Sequence, residues 1–293
     1  MRSSKFGKLE AGIFLFLSVG PFIGGLLARF GGIVFPFAAS FLITTIELCW
    51  VIFILRESRD SLHETESIQE PDGSNSLTRI LFKSFGDSFT LLTRDLRTIC
   101  CSGIIILITL TVGSYSMFQL YLTYLFHWDA FDIGLYILCI ALSRFFWLGV
   151  MLPLFVLWKW NQLNLIKSSL LIFTIGYSCN AIANQEYQFF LIGIIDGFGS
   201  ISMPLLRGYL SSATSGEKQG VLFSSIAVVQ QLGSVVSPLI YGFVYQEGLL
   251  LKFPGLFCLV SSLVYLLCLT LSFGVRVGGE KEDVMEEEEN LLG

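Results

Sequence analysis

Apolar residues in this chain are collected into eight long runs, and shorter polar or charged segments separate the runs. A run of about 20 apolar residues is long enough for a helix to cross the hydrocarbon core of a bilayer. The pattern therefore predicts an all-α, polytopic membrane protein. Its eight predicted transmembrane helices cover residues 11–28, 33–55, 100–126, 132–158, 165–184, 187–209, 219–245 and 253–275.

The composition agrees with this pattern. Hydrophobic residues make up 54% of the chain, charged residues only 14%, and the mean hydropathy is +0.72, values far from those of a soluble domain. The net charge of −5 adds little, because the acidic residues are concentrated near the carboxyl terminus. The seven cysteines lie in or beside apolar runs without metal-ligand spacing, so we interpret them as buried apolar residues.

Two segments fall outside the apolar runs. Residues 57–98 form the longer one: its first part is polar and acidic, which indicates a cytoplasmic linker. From Arg79 onward, apolar residues recur every three or four positions beside basic ones, which predicts an amphipathic helix at the inner membrane surface. Residues 277–293 carry a run of glutamates and are predicted to be a disordered acidic tail.

The distribution of Lys and Arg predicts the orientation in the membrane. If both termini face the cytoplasm, fifteen of the 18 basic residues lie on the cytoplasmic side. Arg29 and Lys252 then occupy outer loops, and Arg144 lies within a span. Leu291 and Leu292 after the acidic run resemble a di-leucine sorting signal, although a solvated acidic tail explains the same residues. We expect a plasma membrane or a vacuolar or lysosomal membrane.

Prolines inside the first and seventh runs belong to a repeated pattern. A proline removes a helical hydrogen bond, and in lipid that loss is tolerated where a neighbouring helix packs closely, which small residues allow. A second proline follows each of them at a similar distance, at Pro36 and Pro254. The ordered matches predict an internal repeat whose packing residues are Gly20, Pro21, Gly24, Gly25, Ser237, Pro238 and Gly242.

The repeat predicts how the chain is organised. Four further spans precede the second copy of the repeated pair, and none precedes the first copy. If the copies are built alike, residues 1–56 hold the last two helices of an incomplete amino-terminal lobe, and residues 99–276 form a six-helix carboxyl-terminal lobe. We therefore expect two plus six transmembrane helices and a chain that is truncated at its amino end.

The first proline segment resembles a signature of the major facilitator superfamily, the fifth-helix motif G-x8-G-x3-G-P-x2-G-G of its drug–proton antiporters. Five residues fall in register with it: Gly7, Gly20, Pro21, Gly24 and Gly25. Phe16 replaces the second glycine. Residues 204–207 and 218–223 are similar to the link between helices ten and eleven in the tetracycline-resistance-like and proton-coupled-folate-transporter-like branches, including uncharacterised fungal members. The resemblance implies a major facilitator-type bundle.

Charged and amide side chains within the spans are the candidate contacts for protons or substrate. A charge at mid-bilayer is costly, so Glu47, Arg144 and Asp196 each need a reason to be there. They could carry protons or bind substrate in a central cavity, or they could instead hold helices together inside the bundle. Gln230 and Gln231 could contact substrate or, more commonly, bridge helices.

These observations predict a secondary active transporter of a small solute that works by alternating access and is coupled to H⁺. The alternative is a transport-incompetent, truncated membrane protein that acts through helix association or not at all. No nucleophile–base spacing, phosphate-binding glycine loop or metal-ligand set occurs, so an enzyme is not predicted, and neither is a cofactor or a metal. The expected partners are the lipid bilayer, a small molecule and protons, but not nucleic acid.

Overall fold

The structure is a computed structural model that describes residues 2–53, 96–213 and 216–292. Side chains are described mainly for residues 19–53, 98–211 and 222–275. Almost all of the linker expected at 57–98, including its predicted amphipathic helix, lies outside the described residues. Within the described part of the chain, the secondary structure is helical and contains no strand.

Eleven α-helices and two shorter irregular segments are described. The α-helices are α1 (Arg2–Gly31), α2 (Val34–Phe53), α3 (Leu96–Leu110), α4 (Val112–Phe126), α5 (Ala130–Phe146), α6 (Leu152–Leu157), α7 (Gln162–Ile182), α8 (Glu186–Asp196), α9 (Ser202–Ala213), α10 (Gly216–Leu250) and α11 (Leu256–Leu292). A π-helical turn at Trp147–Met151 joins α5 to α6, and a 3₁₀ segment at Gly197–Ile201 joins α8 to α9.

These helices confirm the predicted fold class, an all-α polytopic membrane protein. Seven helical stretches in the described residues are long and apolar enough to cross a membrane, and three of them combine two α-helices. The stretches are Val34–Phe53, Thr98–Phe126, Ala130–Leu157, Gln162–Ile182, Glu186–Ser211, Leu222–Leu250 and Leu256–Val275. The remaining predicted span falls in α1, and its apolar part among the residues with described side chains is Val19–Gly31.

The acidic segment after residue 276 follows the last span. The structure describes α11 as one helix that continues to Leu292. Glu, Lys, Met and Leu in this segment have high helix propensity, and no proline interrupts it. Disorder of the tail stays a prediction.

Side-chain contacts between loops show that successive spans run in opposite directions. Trp128, in the loop after α4, donates through Nε1 to Glu186 Oε1 at the start of α8, over 3.2 Å. At the opposite end of the bundle, Lys167 Nζ lies 4.3 Å from the ring centre of Phe273. Alternate loops thus lie at the same end of the bundle.

Two apolar clusters form the core of the six-helix unit. One lies in the half that holds the start of α3 and the part of α11 from Tyr265 to Val275. It is mainly aliphatic and includes Ile104, Leu148, Leu170 and Leu206. The other is rich in aromatic rings: Phe118, Tyr121, Phe189 and Phe257. Tyr177 packs against both clusters, so it marks the layer between them.

The first two helices lie differently with respect to this core. Helix α1 makes its most extensive contact with α5 and a smaller one with α9, whereas α2 contacts mainly α1. No residue of α2 is buried. Among the described residues, the six-helix unit therefore contacts α1 extensively, whereas the main contact of α2 is with α1.

Candidate functional site

The glycine–proline segment of α1 lies at the crossing with α5. A Cβ atom on Gly25 would lie 2.5 Å from the carbonyl oxygen of Ala130 and 2.9 Å from Cα of Phe131. From the other side, a Cβ on Gly134 would lie 2.8 Å from the carbonyl oxygen of Pro21. Both glycines therefore allow direct backbone-to-backbone contact, the kind of approach that small residues permit between membrane helices.

Three other predicted packing glycines do not lie at a helix contact. No described atom lies within 4 Å of where a Cβ would be on Gly20, Gly24 or Gly242. The physical reason is helical periodicity: Gly20 and Gly24 are four residues apart and share a face, while Gly25 is turned about 100° away from Gly24 toward α5. Of the predicted packing glycines, Gly25 meets another helix among the described residues, and a packing role for the other three stays a prediction.

The second proline segment packs through its serine. Ser237 is fully buried on α10, next to Pro238, at the break between α3 and α4. Its hydroxyl accepts a 2.6 Å hydrogen bond from the backbone N–H of Gly113 and donates to the carbonyl of Leu110. A helix break leaves backbone N–H and carbonyl groups without their helical hydrogen-bond partners. The Ser237 hydroxyl replaces those partners from the neighbouring helix.

Asp196 is the most deeply buried of the predicted charged residues. It ends α8 and is 8% exposed. Its carboxyl group lies directly against Gly176 of α7, where a Cβ would come within 2.6 Å of Oδ2. Its Oδ1 atom has no hydrogen-bond partner in the described part of the chain. Gly176, which the sequence analysis did not single out, thus provides the space that this carboxyl group occupies.

Arg144, on α5, is half-buried and acts electrostatically on the Asp196 carboxyl group. Tyr136 and Tyr177 lie within electrostatic range of both charges, and Cys258 lies within range of Asp196. The structure therefore brings two of the sequence-predicted residues, Asp196 and Arg144, into one buried centre. We refer to Asp196, Arg144, Gly176, Tyr136 and Tyr177 as the polar centre.

Hydroxyl groups extend this polar centre across the layer between the two apolar clusters. Thr111 Oγ1 and Tyr265 Oη are 3.0 Å apart, and Ser114 Oγ donates to Tyr177 Oη over 3.4 Å. The rings of Tyr177 and Tyr265 stack with their centres 5.3 Å apart. These residues come from three spans, so the layer joins α3, α4, α7 and α11 through polar contacts.

The other predicted contacts do not join the polar centre. Glu47 lies on α2, every residue of which is at least partly exposed, and it is itself exposed. Gln230 is half-buried and Gln231 exposed on α10. The side-chain hydrogen bond described next to them runs from Ser234 Oγ to the backbone carbonyl of Gln231. Periodicity alone placed these residues at mid-span but could not say which way they faced.

Where α1 ends and α5 begins, the two helices also meet through charged groups. The Arg29 guanidinium lies 4.9 Å from the ring centre of Phe131. Asp129 caps α5: it accepts hydrogen bonds from the N–H groups of Phe131 (2.8 Å) and Asp132 (2.9 Å). The bond from Asp132 N–H, followed by that from Phe131 and by the Arg29 charge, lowers the pKa of Asp129 below its ordinary value.

Chemically, the polar centre can bind and release a proton, and it offers a positive and a negative charge within the bundle. No group of three or more His, Cys, Asp or Glu residues that could hold a metal ion occurs in the described residues. A buried carboxyl group beside an arginine is instead an arrangement found on proton and ion pathways in membrane proteins.

Comparison with known proteins identifies relatives among membrane transporters, whereas no family model matches the chain. It is 23% identical over 276 residues to a class H tetracycline resistance protein of Pasteurella multocida, and 26% identical over 276 residues to a class C tetracycline resistance protein of Escherichia coli. The alignments cover 93% and 92% of this chain but 65% and 64% of the relatives. The chain thus spans less than two thirds of their length.

A third relative is the lysosomal proton-coupled steroid conjugate and bile acid symporter of Bos taurus. It is 25% identical over 237 residues, which cover 78% of this chain and 49% of that protein.

Proposed function

We propose that this chain belongs to a secondary active transporter of a small solute. The premise is membership of the major facilitator superfamily, which these relatives support. Transport would occur by alternating access and would be coupled to H⁺ through Asp196, with Arg144 as its counter-charge. We propose no enzymatic activity, because the relatives are transporters.

The observation that carries the proposal is the burial of the Asp196 carboxyl group within the spans, beside Arg144 and against Gly176. Charge is expensive at this depth, so such a group is retained where it has a function or a partner. Arg144 offers the partner for the ionised form. A carboxyl group that alternates between a neutral and a charged state can link proton binding to a change in helix packing.

Uptake into vesicles tests this function. The chain is reconstituted, and uptake of labelled tetracycline and of a labelled bile acid, the solute classes in the names of the relatives, is measured with and without an imposed pH gradient. We expect uptake that depends on the gradient. An absence of gradient-dependent uptake for both classes would count against the proposal.

Two matched variants locate the coupling carboxyl group. Asp196→Asn removes the proton-binding carboxyl but keeps its size, and it should abolish the effect of the pH gradient while the protein still inserts and folds. Glu47→Gln makes the same chemical change at an exposed mid-span position on α2, and it should leave the effect unchanged. The reverse result would move the coupling role from Asp196 to Glu47.

A second candidate function, association with another membrane protein or another copy, is favoured by a different observation. Helix α2 has no buried residue, and Glu47 faces outward from it. A lipid-facing carboxyl group is costly, and a partner helix that donates a hydrogen bond would relieve the cost. Two differently tagged copies are expressed together, and we measure whether one copy purifies with the other. Co-purification that Glu47→Leu weakens, in a protein that shows no uptake, would support this candidate.

A further inference from the structure

Two neighbouring spans lose regular α-helical geometry directly after their charged residues. Arg144 is followed by the π-helical turn at Trp147–Met151, and Asp196 is followed by the 3₁₀ segment at Gly197–Ile201. Short π-helical turns within α-helices are rare and often occur at functional sites, and 3₁₀ segments within a span often mark hinges. The proposed function uses the two charges but leaves both breaks unexplained.

Each break has a local cause in the sequence. Pro153 follows the π-helical turn and Pro204 follows the 3₁₀ segment. Because proline has no N–H, neither residue can donate the helical bond to the carbonyl four positions earlier. Where the π-helical turn ends, the N–H of Leu152 donates instead to the carbonyl of Trp147. The irregular geometry is therefore built into the chain at both positions.

The two breaks also pack against each other. The rings of Trp147 and Phe198 meet edge to face, with their centres 5.0 Å apart. A Cβ on Gly197 would lie 2.9 Å from Cδ1 of Trp147 and would also collide with Ser143. The absence of a side chain at Gly197 therefore lets the two breaks approach closely.

A hydrogen bond joins the breaks across the helix interface. The α-helical bonding of α8 ends with the N–H of Gly197 donating to Gly193, so the carbonyl of Ile194 is the first without its α-helical donor. Ser143 Oγ donates to this carbonyl over 2.7 Å. Ser143 directly precedes Arg144, and Ile194 lies two residues before Asp196, so the bond connects the backbones that carry the two charges.

Free space lies beside the paired breaks. An open groove of about 670 Å³ is lined by Ser143, Phe146 and Trp147 from one span and by Ile194 and Phe198 from the other, and Phe146 and Ile194 are themselves exposed. Close-packed interiors resist movement. Because the groove opens at the surface of the bundle, side chains at the two breaks can move without displacing close-packed neighbours on that side.

We propose that these two breaks form one coupled hinge, in which Ser143 and Gly197 make α5 and α8 bend together when the charge of Asp196 changes. The inference rests on the proposed role of Asp196 as the proton-binding group. Four titratable groups on the packed elements lie within electrostatic range of Asp196: Arg144 and Tyr136 from α5, Tyr177 from α7 and Cys258 from α11.

The mechanism of coupling follows from these contacts. Neutralising Asp196 weakens its attraction to Arg144, which lies just before the π-helical turn. Because Ser143 ties α5 to the backbone of α8, a shift of either helix is passed to the other at the same level. Irregular helical turns can accommodate the shift with fewer broken hydrogen bonds than a regular α-helix can.

Hydrogen–deuterium exchange tests the hinge without reference to any substrate. The full chain is reconstituted in nanodiscs, and exchange in peptides from residues 140–152 and 193–204 is followed in buffers of low, neutral and high pH. Each rate is divided by the intrinsic rate of amide exchange at that pH to give a protection factor. We expect the protection factors of both segments to change together with pH, by about fivefold or more if the coupling is at least about 1 kcal/mol. In Asp196→Asn, both segments should keep one protection factor at every pH.

Ser143→Ala removes the linking hydroxyl group. It should leave the pH response of 193–204 in place and reduce that of 140–152 to the part that Arg144 alone transmits, so the two segments respond to different extents. Ser168→Ala is the matched control, because Ser168 Oγ donates within its own helix, to the carbonyl of Leu165, and it should leave both responses unchanged. If both segments respond in Ser143→Ala as they do in the wild type, or if neither segment responds in the wild type, the hinge proposal is wrong.

Gly197→Ala provides a second test in case Ser143→Ala does not fold. The new methyl group would separate the breaks, so it should also uncouple the two segments. Gly103→Ala is its control, because no described atom lies within 4 Å of a Cβ there. Coupled responses that persist in Gly197→Ala would contradict the proposal.

The exchange and uptake experiments fail independently. Joint pH responses that require Asp196, without any effect of a pH gradient on uptake, would keep the hinge and remove proton-coupled transport. Proton-coupled uptake that requires Asp196, with segments that respond separately, would keep the transporter and remove the hinge.

Discussion

Replacing Gly25 with alanine tests the contact between α1 and α5 most directly. The new Cβ would lie 2.5 Å from the carbonyl oxygen of Ala130, whereas ordinary van der Waals contact begins at 3.4 Å. The neighbouring atoms are backbone atoms, so no side chain can turn away to make room. The two helices must separate by about 0.9 Å at this point, and the interface on both sides of it must loosen.

The free-energy cost of this close contact is best obtained by comparing two variants. Alanine gains about 1 kcal/mol over glycine within a helix, and this gain applies to Gly25→Ala and Gly24→Ala alike. Overpacking costs about 1–3 kcal/mol and applies to Gly25 alone, because a Cβ on Gly24 meets no described atom within 4 Å. Gly25→Ala should therefore be less stable than Gly24→Ala by about 1–3 kcal/mol, or about 2–12 °C in Tm.

A thiol-reactive fluorescent dye measures this difference in detergent. Four of the seven cysteines, Cys100, Cys101, Cys258 and Cys268, are buried and become reactive as the protein unfolds. Gly134→Ala, on the facing helix, should lower the Tm in the same direction, because its Cβ would lie 2.8 Å from the carbonyl of Pro21. Equal Tm values for Gly24→Ala and Gly25→Ala would refute the crossing of α1 and α5 described here.

Two further changes test other parts of the structure by the same dye assay. Ser237→Ala leaves the buried N–H of Gly113 without its described acceptor, which should lower the free energy of unfolding by about 1–3 kcal/mol. Ser234→Ala should have little effect, because Ser234 Oγ donates only within its own helix in the described residues. Equal losses of stability in the two variants would contradict this expectation. Asp129 has a lowered pKa, chiefly through the N–H of Asp132, so its charged form stabilises the folded state above the unfolded pKa of about 3.9. The difference in Tm between the wild type and Asp129→Asn should therefore be steady near neutral pH. It should disappear as the pH falls through the pKa of Asp129 in the folded state, and a difference that does not change with pH would contradict this.

The hydrophobic pattern was sufficient to predict the fold class and the approximate position of each span. Apolar length decides whether a helix can cross a bilayer, and length can be read from a single sequence. The same pattern placed Asp196, Arg144 and Glu47 at mid-span, because depth depends only on the distance from the span ends.

Only the tertiary structure decided which face of each helix meets a neighbour. Asp196 lies against Gly176 beside Arg144, while Glu47 stays exposed, although all three sit at a similar depth. Gly25 meets α5 and the adjacent Gly24 meets nothing described. In a membrane, lipid and protein interior are equally apolar, so hydrophobic periodicity does not reveal the packed face. That face is set by shape and by buried hydrogen bonds, which depend on residues far apart in the chain.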